Sequence, residues 1–527
     1  MGVLILSASQ VNSLTSITFT GVTAGALTVI DDIAGANTVD LSKITVQGNS
    51  FTYDLTSVAG TGQTNDQVGA SGSNVVVQGG ATVVAGVVGT SGVLPNVQTF
   101  AAADTKTGTA NTNDAFVGTI AGLNGTTLTG NASDRDSLTL TSAGTFVLNN
   151  GGSGGTVTNI TNLTLANGTN VVNFSGVSGI YVISGNAGAD SVNLSNVGGN
   201  AIVRLGQGDD TLTLTGTAYN GTLDGGDGTS DTLNIVNNSN LAAAKVQGFE
   251  GLFITANALA TLTADQYKAF LQITGATGTE TLTFSTAGTL TGTASIEGYV
   301  LANGTNQITL GTASTVTGGT GVDTLVFSAD VSGTAAAYST NLTNVENLVF
   351  QTAVGTTVTG VSAAVQSITA NGGTFQLSGT QSFTAAAGTN DVTAVAASVN
   401  QITLGAGTDI VRASGSVYSA IDTVANFKAA GSDSFKTGTG ASSLTTLTVS
   451  TATSATLAAA IEAAAAAAGQ SLASTAQAFT ITVQSGDAAG TYAFQNIGGT
   501  GTQVDSSDFI VKLTGTVGTI TAADFSV

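Results

Sequence analysis

Apolar and hydroxylated residues alternate along much of the chain, as in "SLTLTSAGTFVL" (137–148) and "TLTVSTATSATL" (446–457). A period of two sends successive side chains to opposite faces, so the pattern predicts half-buried strands. Between these runs recur "NGT", "GGT", "NGG" and "GDG". Gly, Asn and Asp tolerate the positive φ of tight turns, and with a single proline, Pro95, they must supply the turns throughout. Many short strands joined by tight turns follow.

The core of such a chain must be thin. Aromatic residues make up only 5%, so Val, Leu, Ile and Ala have to fill it, which suits stacked β structure. The expected fold is all-β: stacked, solenoid, β-roll-like repeats with short β domains. Two stretches break the period. "TADQYKAFL" (263–271) carries Thr263 where a helix cap is expected, and "TSATLAAAIEAAAAAAGQ" (453–470) places Leu457 and Ile461 on one helical face with Gly469 as its stop. The second predicts a small C-terminal α+β domain.

A longer repeat overlies the strands. Asp136, Asp231, Asp323 and Asp409 each open an Asp-then-apolar alternation, at intervals of 95, 92 and 86 residues. Each is followed by a second strand-like signature, Ile160–Leu163, Phe249–Leu252, Val345–Leu348 and Val424–Phe427. The hexamer "NQITLG" stands at both 306–311 and 400–405. The reading is a degenerate unit of about 90 residues. It gives an N-terminal β domain over 1–104, repeats over 105–436 and a C-terminal domain over 437–527.

Charge narrows the partners. With 10 Lys+Arg against 31 Asp+Glu the net charge is −21, which repels nucleic acid and anionic lipid head groups and favours divalent cations. The chain has no His, Cys or Trp, so thiol nucleophiles, His-assisted catalysis and the usual zinc sites are excluded. Carboxylate chemistry such as glycoside cleavage survives that test. No continuous non-repeat segment is left to house it, and no enzyme is expected. The start "MGVLILSASQ" lacks a basic segment and has too short an apolar run for a signal-peptide core or a membrane span. No membrane insertion is expected, and any export instruction lies elsewhere.

The acid is concentrated where glycine is. "GNAGADSVN" (185–193), "LGQGDDTLT" (205–213) and "GGDGTSDTL" (225–233) lie about twenty residues apart, close enough to stack, and "GGTGVDTLV" (318–326) repeats the spacing. Gly206, Gly208, Gly319 and Gly321 let the backbone turn and aim carbonyl oxygens inward, while the aspartates add carboxylates. Calcium takes about six to eight oxygens, so facing turns must share an ion. The candidate ligands are Asp190, Asp209, Asp210, Asp224, Asp227 and Asp231, followed by the more isolated Asp323 and Asp409. "GATGTETLT" (275–283) has Glu280 in place of Asp and reads as a decayed structural turn. The alternative for every such loop is a Gly-Asp turn whose carboxylate bonds its own backbone.

These nonapeptides match the repeats-in-toxin pattern GGxGxDxUx, completely at 318–326 and from its second position at 205–213. With them stand "TGTANTNDAFVGTIAGLNGTTLTGNASDRDSLTL" (107–140), "VQGFEGLFI" (246–254), "GTYAFQNIGGTGTQVDSSDFIVKLTGT" (490–516) and the terminal "ADFSV" (523–527). At these residues the chain resembles the repeats-in-toxin-like surface-layer proteins that Gram-negative bacteria secrete by the type I route. The resemblance implies a C-terminal secretion signal, calcium-driven folding outside the cell, a cell-surface location and self-assembly into a homo-oligomeric lattice. It also implies attachment to lipopolysaccharide or another surface glycan, although related proteins usually begin with a largely helical anchoring domain and residues 1–104 read as β. A calcium-dependent adhesin or biofilm-matrix protein is the alternative, and its binding module would fall in those N-terminal residues.

Overall fold

The computed structural model describes side chains from residue 97 onward, apart from 111–112, 133–135, 149–154, 175–179, 181, 195–200, 216–217, 331–340, 356, 363, 395–397, 413–419, 498–503 and 506. Within residues 1–86 it describes the backbone of nine strands. Those nine pair only in parallel, in three sets. One set, for example, runs Gly2–Ser7, Gly25–Ile30, Ser50–Thr56 and Thr82–Gly86.

The chain divides into two units, Met1–Phe253 with Ala269–Gln272, and Ile254–Lys268 with Ile273–Val527. In the first unit, strands Asn96–Thr99, Asp114–Gly118, Asp136–Leu140, Ile160–Thr164, Val182–Ser184, Ile202–Gln207, Thr222–Asp227 and Lys245–Gln247 form one parallel sheet in chain order. A second sheet interleaves with it in sequence and includes Val171–Ser175, Ser191–Ser195, Thr211–Leu214 and Thr232–Ile235, also parallel. Strands taken alternately by two sheets make the chain a parallel β-solenoid, each coil laid on the one before.

Register explains why the alternation in the sequence works. Val172, Val192, Leu212 and Leu233 are successive partners across four strands, and each is fully buried. Phe174, Leu194, Leu214 and Ile235 form the next buried column. A slip of one residue would turn these columns outward and bring Ser191, Thr211 and Thr232 in, so burial fixes the register.

The second unit repeats the scheme. Thr289–Thr291, Asn306–Leu310, Asp323–Phe327, Asn347–Phe350, Ser367–Ala370, Ser382–Ala385, Gln401–Thr403 and Thr423–Ala425 stack in parallel. Phe327 and Phe350 lie nearly face to face inside, with ring centres 5.1 Å apart. The sheet ends differently. Phe509–Thr514, Gly490–Gln495 and Gln477–Val483 pair antiparallel, and Ser443–Val449 joins as the last strand.

Both expected helices are present. Ala264–Ala269 starts from a reciprocal cap, in which Thr263 Oγ1 accepts the Gln266 N–H and Gln266 Oε1 accepts the Thr263 N–H. Leu457–Ala467 buries Leu457, Ile461 and Ala465 among Phe479, Ile481, Tyr492, Phe494 and Ile510, and Gly469, at φ +66°, follows its end. Among the described residues no helix is long and apolar enough to cross a membrane.

Candidate functional site

The coils that enter Ser191–Ser195, Thr211–Leu214 and Thr232–Ile235 do so through glycine-lined corners. Ala187 pairs with Gln207, Gly206 with Gly226 and Gln207 with Asp227, so the three glycine-rich segments lie directly on one another. Their backbones approach too closely for side chains. A Cβ on Gly206 would stand inside the carbonyl of Asn186, one on Gly208 inside that of Gly188, and one on Gly226 inside that of Gly206. In the second unit Gly319 and Gly321 meet the carbonyls of Ala302 and Gly304 in the same way.

At the end of each corner, where the strand begins, stands a buried polar residue. These residues form a ladder. Asp190 Oδ1 accepts the backbone N–H of Asn170 at 2.9 Å, Asp210 Oδ1 accepts that of Asp190 at 2.6 Å, and Asp231 Oδ1 accepts that of Asp210 at 2.7 Å. Glu250 Oε2 closes the row on the N–H of Asp231 at 2.8 Å. The strand-entry N–H of one coil has no partner in its own strand, so the acid of the next coil satisfies a buried donor.

The sequence placed Asp190, Asp210 and Asp231 together, and the structure does so. All three are at most 2% exposed. Only one oxygen of each carboxylate is used. Oδ2 of Asp190, Asp210 and Asp231 is buried with no hydrogen-bond partner among the described residues, and so is Oδ2 of Asp323. A buried, half-satisfied carboxylate is costly unless a proton or a cation neutralises it.

Three other ladder acids lack this deficit. Oδ2 of Asp114, Asp136 and Asp433 accepts an N–H from its own loop, that of Thr109, Asn131 and Lys428 respectively. Asp190, Asp210, Asp231 and Asp323 thus join Glu280 and Asp508 as buried acids with one oxygen unpartnered among the described residues, and the first four stand at glycine corners.

Asp209, Asp224 and Asp227 sit differently. Asp209 is exposed and accepts the N–H and hydroxyl of Thr229, Asp224 is half-buried and accepts from Gln247 Nε2 at 2.6 Å, and Asp227 is exposed. They lie on the outer side of the same corners. Asp323 and Asp409 are buried and each belongs to a ladder of its own. Asp323 Oδ1 accepts from Asn306 Nδ2, while the Asp323 N–H donates to Glu346 Oε2 at 2.8 Å. Asp409 Oδ1 accepts from the backbone and side chain of Asn390, and its N–H donates to Asp433.

Sequence reasoning missed Glu250, Glu346, Asp422 and Asp433 as ladder members. It also read Glu280 as a decayed turn, yet Glu280 is fully buried, its Oε1 accepts the Asn257 N–H, and its Oε2 lacks a partner among the described residues. The signal was a polar residue standing just before an apolar alternation. Phe249–Leu252 and Val345–Leu348 each hold such a glutamate.

Desolvation dominates the titration of these acids. Burial pushes Asp190 up to about 7, against hydrogen bonds from Asn170 that pull it down. Burial likewise carries Asp210 up to about 6, and the Asp231 carboxylate adds to the rise. Asp231 is raised as well, again mainly by burial. A raised acid contributes stability that is complete below its unfolded value near 4 and is lost as pH rises through the folded value. Asp209, held low by Thr229, stays ionised over that range and does not oppose the trend. In chelator, the thermal midpoint is therefore expected to rise on acidification from pH 8 to pH 5. A calorimetric scan showing no rise, or a fall, contradicts this.

As a cation site the corners have the right donors. Carboxylate oxygens and glycine-loop carbonyls are hard ligands of the kind calcium takes. Among the described residues no three acidic side chains converge on one point, so backbone carbonyls must supply part of any shell. Near the position a Cβ would take on Gly228, the Gly208 carbonyl and both oxygens of Asp231 come together. The chain matches no family model, no curated protein and no solved structure.

Proposed function

We propose that this protein is an exported structural solenoid whose glycine corners are closed by calcium, and that it self-associates at the cell surface into a lattice of the surface-layer kind. The observation that carries the reading is the row of buried carboxylates at Asp190, Asp210 and Asp231, each with one oxygen unpartnered among the described residues. Calcium, rather than an organic cofactor, suits a narrow corner lined by oxygens.

The same arrangement supports export before folding. Where calcium is scarce, stacking three carboxylates opposes compaction, and the chain stays open for a secretion route read from its C-terminus. Outside, the ion supplies the missing counter-charge. The net charge of −21 also keeps copies apart until a divalent cation screens or links them. A structural rather than catalytic role accords with the absence of His and Cys.

Electron microscopy of the purified protein tests the assembly. Ordered arrays are expected in millimolar calcium and dispersed particles after EGTA. Identical particles in both conditions contradict the lattice. Calcium-bound monomers that bind lipopolysaccharide or another glycan would point instead to an adhesin or matrix protein.

A further inference from the structure

Three of the ladders share one order, while the row Gln381, Asn400, Asp422 begins with glutamine. Each of three rows begins with asparagine and continues with acid: Asn170 then Asp190, Asn306 then Asp323, Asn390 then Asp409. The loops before these six residues share a glycine two positions upstream with positive φ: Gly168, Gly188, Gly304, Gly321, Gly388 and Gly407. These six corners therefore share a glycine of positive φ at one position and differ in the residue two positions after it.

In the asparagine corners the side-chain amide is held by oxygens. Asn170 Nδ2 donates to the carbonyls of Ala166 and Gly168, each at 2.8 Å, and to Asp190 Oδ1 at 2.8 Å. Asn306 Nδ2 donates to Ala302 and Gly304 at 2.7 and 3.3 Å and to Asp323 Oδ1 at 2.6 Å. The spacing is the same in both: carbonyls four and two residues upstream, and the acid of the next coil. Asn390 Nδ2 reaches Ala387 and Asp409 Oδ1.

At Asp210 the same spacing names the carbonyls of Gly206 and Gly208 and the carboxylate of Asp231. An oxygen now replaces the amide nitrogen, and Oδ2 of Asp210 has no donor among the described residues. Where asparagine brings its own positive hydrogens, aspartate leaves a gap of matching electrostatic demand. The amide is not free of cost, because Oδ1 of Asn170 and of Asn390 lacks a partner among the described residues. A neutral oxygen left so costs far less than a charged one.

We infer that Asn170, Asn306 and Asn390 act as built-in substitutes for the cation. Each closes the first coil of its row without metal and offers a formed template to the acidic coils that follow. Asp190, Asp210, Asp231 and Asp323 are the conditional coils. The choice between asparagine and aspartate then sets how much of each row depends on calcium. This deepens the calcium reading above and rests on it.

The test compares the full chain with two single variants, Asp210→Asn and Asn170→Asp, at pH 7.5. Calcium uptake is measured by equilibrium dialysis, and amide exchange over 205–214 and 165–174 is measured in EGTA. Asp210→Asn is expected to lower uptake and to slow exchange over 205–214 in EGTA at least tenfold. Asn170→Asp is expected to speed exchange over 165–174 in EGTA at least tenfold, with protection restored by calcium. If the unaltered protein takes up calcium but Asp210→Asn exchanges no more slowly in EGTA, this inference falls and the calcium reading stands. Should Asp210→Asn fail to fold even in calcium, Asp323→Asn read over 319–327 decides by the same criterion. No uptake by the unaltered protein overturns both.

Discussion

Chelating calcium at pH 7.5 is expected to lower the thermal midpoint by more than about 10 °C and to open the glycine corners before the rest of the solenoid. Four buried Oδ2 atoms, on Asp190, Asp210, Asp231 and Asp323, are without donors among the described residues. At a hundredfold excess over its Kd each bound ion contributes about 2.7 kcal/mol, so two or three rival the whole net stability of a domain. Removing them leaves ionised carboxylates in a place where burial already drives Asp190 and Asp210 toward protonation. Scanning calorimetry in calcium and in EGTA gives the shift, and amide exchange locates it. A midpoint that moves by less than a degree or two contradicts the account.

The second large effect concerns close backbone approach. Replacing Gly226 by valine is expected to destabilise the first unit by roughly 2–6 kcal/mol, combining positive-φ strain with overpacking. Gly226 has φ +109°, and a Cβ there would occupy the Gly206 carbonyl of the coil below. The neighbouring coil has to move for the side chain to fit, which separates the Asp210 and Asp231 rungs. Gly379→Ala is the control, since nothing lies within 4 Å of a Cβ at that position and its φ is not positive. Urea unfolding monitored by circular dichroism should show a loss for Gly226→Val and a change within about 0.5 kcal/mol for Gly379→Ala. Equal effects would show that corner packing is not what constrains this glycine.

Much of this was legible in the sequence because burial in a strand leaves a period of two. The columns Val172–Val192–Leu212–Leu233 and Phe174–Leu194–Leu214–Ile235 are the apolar positions of the alternating runs. The three glycine-rich segments stack as their spacing suggested. Coil length was harder to read. Successive ladder residues are 17 apart between Asn306 and Asp323 but 24 apart between Asp409 and Asp433, so loop variation blurs the short period and leaves the longer recurrence more visible.

The division of labour within "DGGDGTSD" and "GDD" was not legible either. Asp209 and Asp210 are adjacent and chemically alike, yet one is exposed against Thr229 and the other is fully buried under the N–H of Asp190. Only the register of one coil on the next separates them. Glu250, Glu346 and Asp433 escaped notice because none has glycine at both four and two positions upstream, although each accepts the same strand-entry N–H. The two copies of "NQITLG" mark a repeat in the sequence. In the structure they begin with Asn306 and Asn400, whose side-chain amides donate to Asp323 and Asp422 of the following coil.

The central claim is that calcium sits against the unpartnered carboxylate oxygens, and a density map of the calcium-loaded protein tests it most directly. The account places ions about 2.3–2.6 Å from Oδ2 of Asp190, Asp210 and Asp231, with glycine-loop carbonyls completing each shell. A map from calcium-saturated protein in which those oxygens contact only protein or water, with no ion beside them, would contradict it.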